Sequence, residues 1–247
     1  MVNNMNTEIF KLPLGMIRVV EMVFCLIAWW SVTSGSSVIR YFAMCGDVKT
    51  ESSVAWSYPY RLSEVVVSTN SCDGTENTKE LFGMGIGAPA SASFFLTVTI
   101  VSLLFALIIL AVYLFQWHNY DSVPLFANLD LCFTAVFALL WFLASLLWWI
   151  GSGSVKEVIS NESLTRILNE RNAACSKDHP CQLEGSASVA GMTIAVIAGW
   201  MQFLLFGANV WFVYKQTPFW KERGSQPTMA PPNAGPPLPS GPPAGYQ

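Results

Sequence analysis

Charge is what this sequence has least of. Of its 247 residues only 12% are Asp, Glu, Lys or Arg, about half the share of an ordinary soluble domain. The formal net charge is −3 and no run of Lys or Arg occurs, which excludes a nucleic-acid partner held by phosphate neutralisation. Histidine is nearly missing. His118 and His179 are the only two, on opposite sides of the membrane expected below, and no metal-ligand spacing appears. There is no glycine-rich phosphate loop and no nucleophile elbow. The apolar stretches lack the repeated buried acids and bases of a pump. Neither an enzyme nor a cofactor is expected from such a chain. A cleavable secretory signal is lacking too: residues 1–11 are polar and of mixed charge, and no small-residue cleavage site follows a short apolar core. The first apolar stretch is therefore expected to be a retained anchor.

What is present is hydrophobicity, at 53% of residues, gathered into four stretches at 12–39, 91–115, 123–150 and 187–214. A bilayer core about 30 Å thick is crossed by roughly 20 mostly apolar helical residues. The expected architecture is an all-α membrane protein with four spans. It has a short N-terminal segment at 1–11, a membrane domain at 12–214 and a tail at 215–247. Large loops at 40–90 and 151–186 lie on one side, and a short link at 116–122 on the other makes the second and third spans antiparallel neighbours.

An even number of spans puts both termini on one side. Lys11, Arg18 and Lys215 at the span ends favour the cytoplasm for that side. Cysteine argues the same way. Cys45 and Cys72 fall in the first large loop, and Cys175 and Cys181 in the second. Disulfides persist in an oxidising lumen or outside the cell. Four cysteines allow three connectivities, and pairing within each loop is the simplest and closes short rings. The sequon Asn161-Glu162-Ser163 makes Asn161 a glycosylation candidate on the same side. Cys25 and Cys132 lie inside apolar stretches and are expected to be small buried hydrophobes.

Within the spans, Arg18 and Glu21 share a helix face and are expected to snorkel at the cytoplasmic boundary. Gln116-Trp117-His118 marks an interface after the second span, and Trp148-Trp149 an aromatic belt after the third. The third span also carries Asp130 near its cytoplasmic end. Ala187, Gly191, Ala195 and Gly199 recur every four residues, with Gly207 in register. Such small-residue stripes let helix backbones approach closely, here in a seam within the bundle or between subunits. Gln202 and Asn209 are expected to bond a neighbouring helix. In the first loop, 54–62 and Val65-Val66-Val67 predict short strands, with Pro59 on an edge. In the second, Val155, Val158, Ile159, Ser163, Ile167 and Leu168 predict one short amphipathic helix. Residues 226–247 are rich in Pro and Gly and too poor in apolar residues to fold. There Pro236-Pro237-Leu238-Pro239 favours polyproline II, suiting a WW or SH3 domain or simply a flexible tail.

Several strings at the span edges point further. They are Pro13-Leu14-Gly15-Met16-Ile17-Arg18-Val19-Val20 at the first span and Tyr58-Pro59-Tyr60-Arg61-Leu62 in the first loop. Ser91-Ala92-Ser93-Phe94-Phe95-Leu96-Thr97-Val98 opens the second span. Thr134-Ala135-Val136-Phe137-Ala138 with Trp141 lies in the third, and Asn209-Val210-Trp211-Phe212-Val213-Tyr214-Lys215-Gln216-Thr217 closes the fourth. Together they resemble the MARVEL-type tetraspan vesicle proteins, in particular the synaptophysin (physin) family. The first loop departs in having no sequon, and the tail has one tyrosine, Tyr246, in place of tyrosine–glycine repeats. The resemblance implies a four-helix MARVEL bundle with small disulfide-bonded lumenal loops and a disordered tail. It implies a non-enzymatic vesicle protein that associates with synaptobrevin, binds cholesterol, forms homo-oligomers and influences vesicle formation, cargo retrieval and exocytosis. A tetraspan of cell contacts or junctions, and a channel or transporter, are the alternative classes.

Overall fold

The computed structural model describes residues 7–45, 48–70, 76–83, 85–171, 175 and 181–220. Four of its helices are long and apolar enough to cross a bilayer: α1 (Pro13–Thr33), α2 (Pro89–Phe115), α4 (Pro124–Val158) and α6 (Ala190–Tyr214). The first three each open on a proline, whose fixed φ suits a first turn and whose missing N–H is not needed there. A short helix α3 (Trp117–Ser122) fills the tight link between α2 and α4. The long helices pack most extensively on their neighbours in the ring order α1, α2, α4, α6.

Two boundaries differ from the sequence expectation. The first apolar run was expected to stay helical to residue 39, but α1 ends at Thr33 and β1 (Ser37–Cys45) begins four residues later. Val38 and Ile39 are β-branched and apolar, so hydropathy counts them with the span. Ile39 is in fact buried under the sheet. The third span was expected to stop at 150, but α4 has 35 residues, about 52 Å of helix, which is longer than the roughly 30 Å core of a bilayer. The amphipathic helix expected over 155–168 is accordingly split. Val155 and Val158 finish α4, while Ile167 and Leu168 belong to α5 (Asn161–Arg171).

The loop side carries strands. β1 pairs antiparallel with β2 (Val48–Trp56), in register from Ser37 opposite Trp56 to Cys45 opposite Val48. From the second loop, β5 (Gln182–Glu184) joins the other edge of β1, with Leu183 opposite Tyr41, so the two loops form one sheet in the order β2-β1-β5. Side chains alternate as a half-buried sheet requires: Ile39, Tyr41, Val54 and Trp56 face inward, and Val38, Lys49 and Glu51 face out. β3 (Val66–Asn70) and β4 (Glu76–Glu80) make a separate hairpin. Pro59 is not on a strand edge. It sits after β2 in a turn with a cis Tyr58–Pro59 bond, where its missing N–H removes no ladder bond.

Two apolar clusters make the core. The larger joins the sheet's inner face to the loop-side half of the bundle. The smaller, around Ile9, Leu14, Tyr113, Tyr120, Ala127 and Val213, closes the side that carries both termini. Outward faces remain apolar, as at Val23, Leu26, Ile108, Leu139, Ile197 and Leu204, which is what lipid solvates. Cys132 lies on such a face, exposed, while Cys25 is buried. The expectation that both are buried fails at Cys132 because lipid-facing and core-facing positions are equally apolar in a membrane helix.

Candidate functional site

Deep in the termini-side half, Arg18 extends from α1 into the centre of the bundle. Its Nη1 donates to Glu21 Oε2 at 2.9 Å. Its Nη2 donates to Asp130 Oδ1 at 2.6 Å and to Thr134 Oγ1 at 2.7 Å on α4. Thr134 in turn donates to Asp130 Oδ1 at 3.1 Å. The other Asp130 oxygen accepts the hydroxyls of Tyr113 on α2 and of Tyr120 on α3, the latter at 2.9 Å. Glu21 Oε1 accepts from Asn209 Nδ2 of α6 at 2.9 Å. One turn away, Gln202 Nε2 donates to the Glu21 carbonyl at 2.6 Å and reaches Cys25 Sγ at 2.8 Å. The rings of Phe105 and Phe206 flank the guanidinium, at 5.1 and 5.9 Å.

Every helix of the bundle therefore contributes to one network. Arg18, Glu21, Gln202 and Asn209 are 0% exposed and Asp130 1%. This corrects the expectation that Arg18 and Glu21 snorkel at the boundary. A charge inside hydrocarbon is tolerated when it faces the bundle interior and finds opposite charge there, and Asp130 supplies it from 112 residues along the chain. One cation faces two carboxyl groups, and Tyr113, Tyr120, Thr134 and Asn209 supply further donors to their oxygens. Burial, with Asp130 beside it, holds the Tyr120 hydroxyl well above its ordinary range, so it stays protonated and a donor. Ile9, fully buried in a short 3-10 turn (Thr7–Lys11), packs with both tyrosines and closes the network on the termini side.

The loop-side half is tied by rings. Tyr60 follows the cis bond at φ 64° and is fully buried. Its hydroxyl donates to the Val32 carbonyl at the end of α1, at 2.9 Å. Its carbonyl accepts the Ala88 N–H at the start of α2, at 3.2 Å. Its ring packs 5.4 Å from Trp148 of α4, which meets Phe95 of α2 at 6.0 Å, and Phe95 meets Trp141 edge-on at 5.5 Å. Gly35 is required here because a Cβ would collide with the Tyr60 hydroxyl, and Gly87 because one would collide with the Tyr60 carbonyl. Burial pushes the Tyr60 hydroxyl up to about 12, so it too remains a donor.

The residues singled out from sequence fall in several places. Cys175 and Cys181 are disulfide-bonded, with Cα atoms 5.2 Å apart. Cys72, and with it the pairing expected with Cys45, lies outside the described residues, as do Pro236, Pro237, Leu238 and Pro239. Asn161 opens α5 and is exposed. Ala187 precedes α6. Gly191 packs against the Ser31 carbonyl of α1, where an added Cβ would lie 2.9 Å away. Ala195 is fully buried. Gly199 packs between Ser145 of α4 and Phe95 of α2, where a Cβ would stand 2.7 and 2.8 Å from them. Gly207 faces outward with nothing within 4 Å. Four residues overshoot one helical turn by about 40°, so a four-residue stripe winds off the packed face by the time it reaches Gly207. Missed altogether was the tie from Arg18 to Asp130, Tyr113 and Tyr120. Its one signal was an acid, Asp130, on a different span from Arg18 but near the same side.

Four apolar helices closed around a charge-paired centre, with a small sheet across one end, define a four-span membrane protein. The MARVEL family model, described as a membrane-associating domain, matches residues 10–212, from the residue beside the Ile9 closure to the last turns of α6. The chain belongs to the MARVEL family.

Proposed function

We propose that this MARVEL protein is a synaptophysin-like, non-enzymatic organiser of synaptic or related transport-vesicle membranes. The observation that carries the reading is where its polar chemistry goes. The buried charges engage one another within α1 and across to α4 and leave an apolar exterior for lateral contact with lipid and other membrane proteins. The synaptophysin-like strings add support, because they coincide with the ties: Tyr60 lies in one, Arg18 in another, and Asn209 opens a third. In this reading both termini are cytoplasmic and the disulfide-bonded sheet body is lumenal, where oxidising conditions preserve Cys175–Cys181. Synaptobrevin-type proteins, cholesterol and further copies of the chain are the partners, met through the outward faces of the helices.

The test is affinity capture of the full chain from native membranes in mild detergent, with fractionation of small vesicles. Co-purification of synaptobrevin-type proteins from the vesicle fraction supports the proposal. Recovery of junction proteins alone, with surface biotinylation at cell contacts, replaces it with a contact tetraspan, a reading favoured by the outward sheet face around Val38, Arg40 and Glu51. Conduction is disfavoured by the bulk of Arg18, Phe95, Trp141 and Trp148 inside the bundle, and ion flux into liposomes measures it.

A further inference from the structure

Counted as ions, the side chains at the centre of the bundle do not balance. α1 contributes Arg18 and Glu21, while α2 and α6 contain no Asp, Glu, Lys, Arg or His. α4 contributes Asp130 and, in its last turn, Lys156 and Glu157. On the termini side, Glu8 and Lys11 are exposed and pair with each other, and His118 and Asp121 of α3 are exposed. One guanidinium thus meets two fully buried carboxyl groups. With both ionised, the bundle would hold an uncompensated negative charge away from water, which is costly.

The hydrogen bonds distinguish the two acids. Asp130 accepts two donors on each oxygen, Arg18 and Thr134 on Oδ1 and the two tyrosines on Oδ2. An ionised carboxylate offers about four lone-pair sites, so a hydrogen added to Asp130 would displace a donor. Glu21 accepts one donor on each oxygen, Arg18 on Oε2 and Asn209 on Oε1, and keeps sites open. Around it, acceptors outnumber donors. Asn209 Oδ1 and Gln202 Oε1 are buried without a donor, against one donor of the set, Arg18 Nε, without an acceptor. Glu21 therefore lies where both a positive charge and a hydrogen are lacking, and one proton supplies both.

We propose that Glu21 is a proton-binding site: its carboxyl carries a hydrogen on Oε1, leaving Arg18 and Asp130 as the one ion pair at the centre and Glu21 as a neutral acid between α1 and α6. Oε2 keeps the bond from Arg18 as the carbonyl oxygen of the acid. The Oε1 hydroxyl donates to the Asn209 amide, which presents Oδ1 in place of Nδ2 after a half-turn about its Cβ–Cγ bond. The proton is taken up from bulk water, and no other bond forms or breaks. The site is independent of the vesicle reading, since it depends only on the contacts of Glu21 and Asp130.

The test is infrared spectroscopy of the full chain at neutral pH in maltoside micelles, which have no carbonyl of their own. One sample carries isotope-labelled glutamate carboxyl carbons and another labelled aspartate. The expected spectrum has a carboxylic-acid C=O band that shifts with labelled glutamate, stays in place with labelled aspartate and is lost in Glu21→Gln. The unfolding midpoint gives a second readout. Glu21→Gln keeps a neutral group of the same shape and should leave the midpoint nearly unmoved, whereas Asp130→Asn removes the one anion left to Arg18 and should lower it clearly. If neither variant folds, the labelled natural protein decides alone. A spectrum without the band, a band that follows aspartate, or a midpoint that falls as far in Glu21→Gln as in Asp130→Asn would overturn the proposal. So would a midpoint that rises when sodium replaces choline in the buffer, which would put a metal cation where the proton is placed.

Discussion

At the side carrying the termini, Arg18, Glu21 and Asp130 place three ionisable side chains where no water reaches, and hold five helices by hydrogen bonds to them. At the loop side, Tyr60, Phe95, Trp141 and Trp148 hold three of the same long helices mainly by shape, with one hydroxyl bond from Tyr60 to α1. The two halves answer the same problem under different terms. Between membrane helices there is no hydrophobic force to draw them together, because lipid is as apolar as a leucine face. The termini-side half supplies attraction by charge, which is strong only while every partner is present. The loop-side half supplies it by interlocking volume, which degrades in proportion to what is removed.

That difference orders the mutations. Arg18→Leu should have the largest effect, about 3–5 kcal/mol, because it strands buried carboxyl groups without a cation. Denaturant titration of the purified protein in micelles measures it. Tyr60→Ala should cost about 3–5 kcal/mol as well, as large aromatic truncations do, but by a cavity. A small apolar ligand that fills the cavity should then restore part of the loss, whereas no apolar ligand should rescue Arg18→Leu. Rescue of both, or of neither, would erase the distinction between the halves.

Gly199→Leu should come next, at about 1–3 kcal/mol or more for overpacking, since Phe95 and Ser145 stand within 2.8 Å of any Cβ. Gly207→Leu should stay within about 0.5 kcal/mol, as surface changes do. If Gly207→Leu instead reduces chemical crosslinking between copies while Gly199→Leu does not, the outward end of the stripe is a subunit contact. Cys175→Ser should remove about 2 kcal/mol or less from the loop body through its short ring, seen as faster hydrogen exchange in α5 and β5. The unfolding midpoint of the bundle should not move. Tyr60→Phe should cost about 1 kcal/mol for the single bond to Val32, above the near-neutral Gly207→Leu.

Sequence made some of this legible and hid the rest for identifiable reasons. The spans were plain because each exceeds the length a bilayer needs, and the cysteines of the second loop were plain because six positions separate them. Gln202 and Asn209 stood out as polar residues at depth, and both bond α1. The charge network was hidden because Arg18 and Glu21 form a self-sufficient pair on paper. Nothing local says that Asp130 turns to meet them. The inward turn at Cys25 and the outward turn at Cys132 were hidden because hydropathy has no contrast between core and lipid. Tyr60 was visible as part of a family-like string, but its role depends on a cis turn and on room left by Gly35 and Gly87, which are tertiary facts.

The most direct test of the charge account compares two proteins: Arg18→Leu alone, and Arg18→Met with Glu21→Gln and Asp130→Asn together. Both lack the buried cation, but the second also lacks the charges it would strand. Removing every member of a buried ion set leaves no charge stranded, so the triple variant should unfold nearer the natural sequence than the single variant does. A triple variant as unstable as the single one, or a single variant as stable as the natural protein, would contradict the claim that mutual neutralisation of charge holds this half of the bundle.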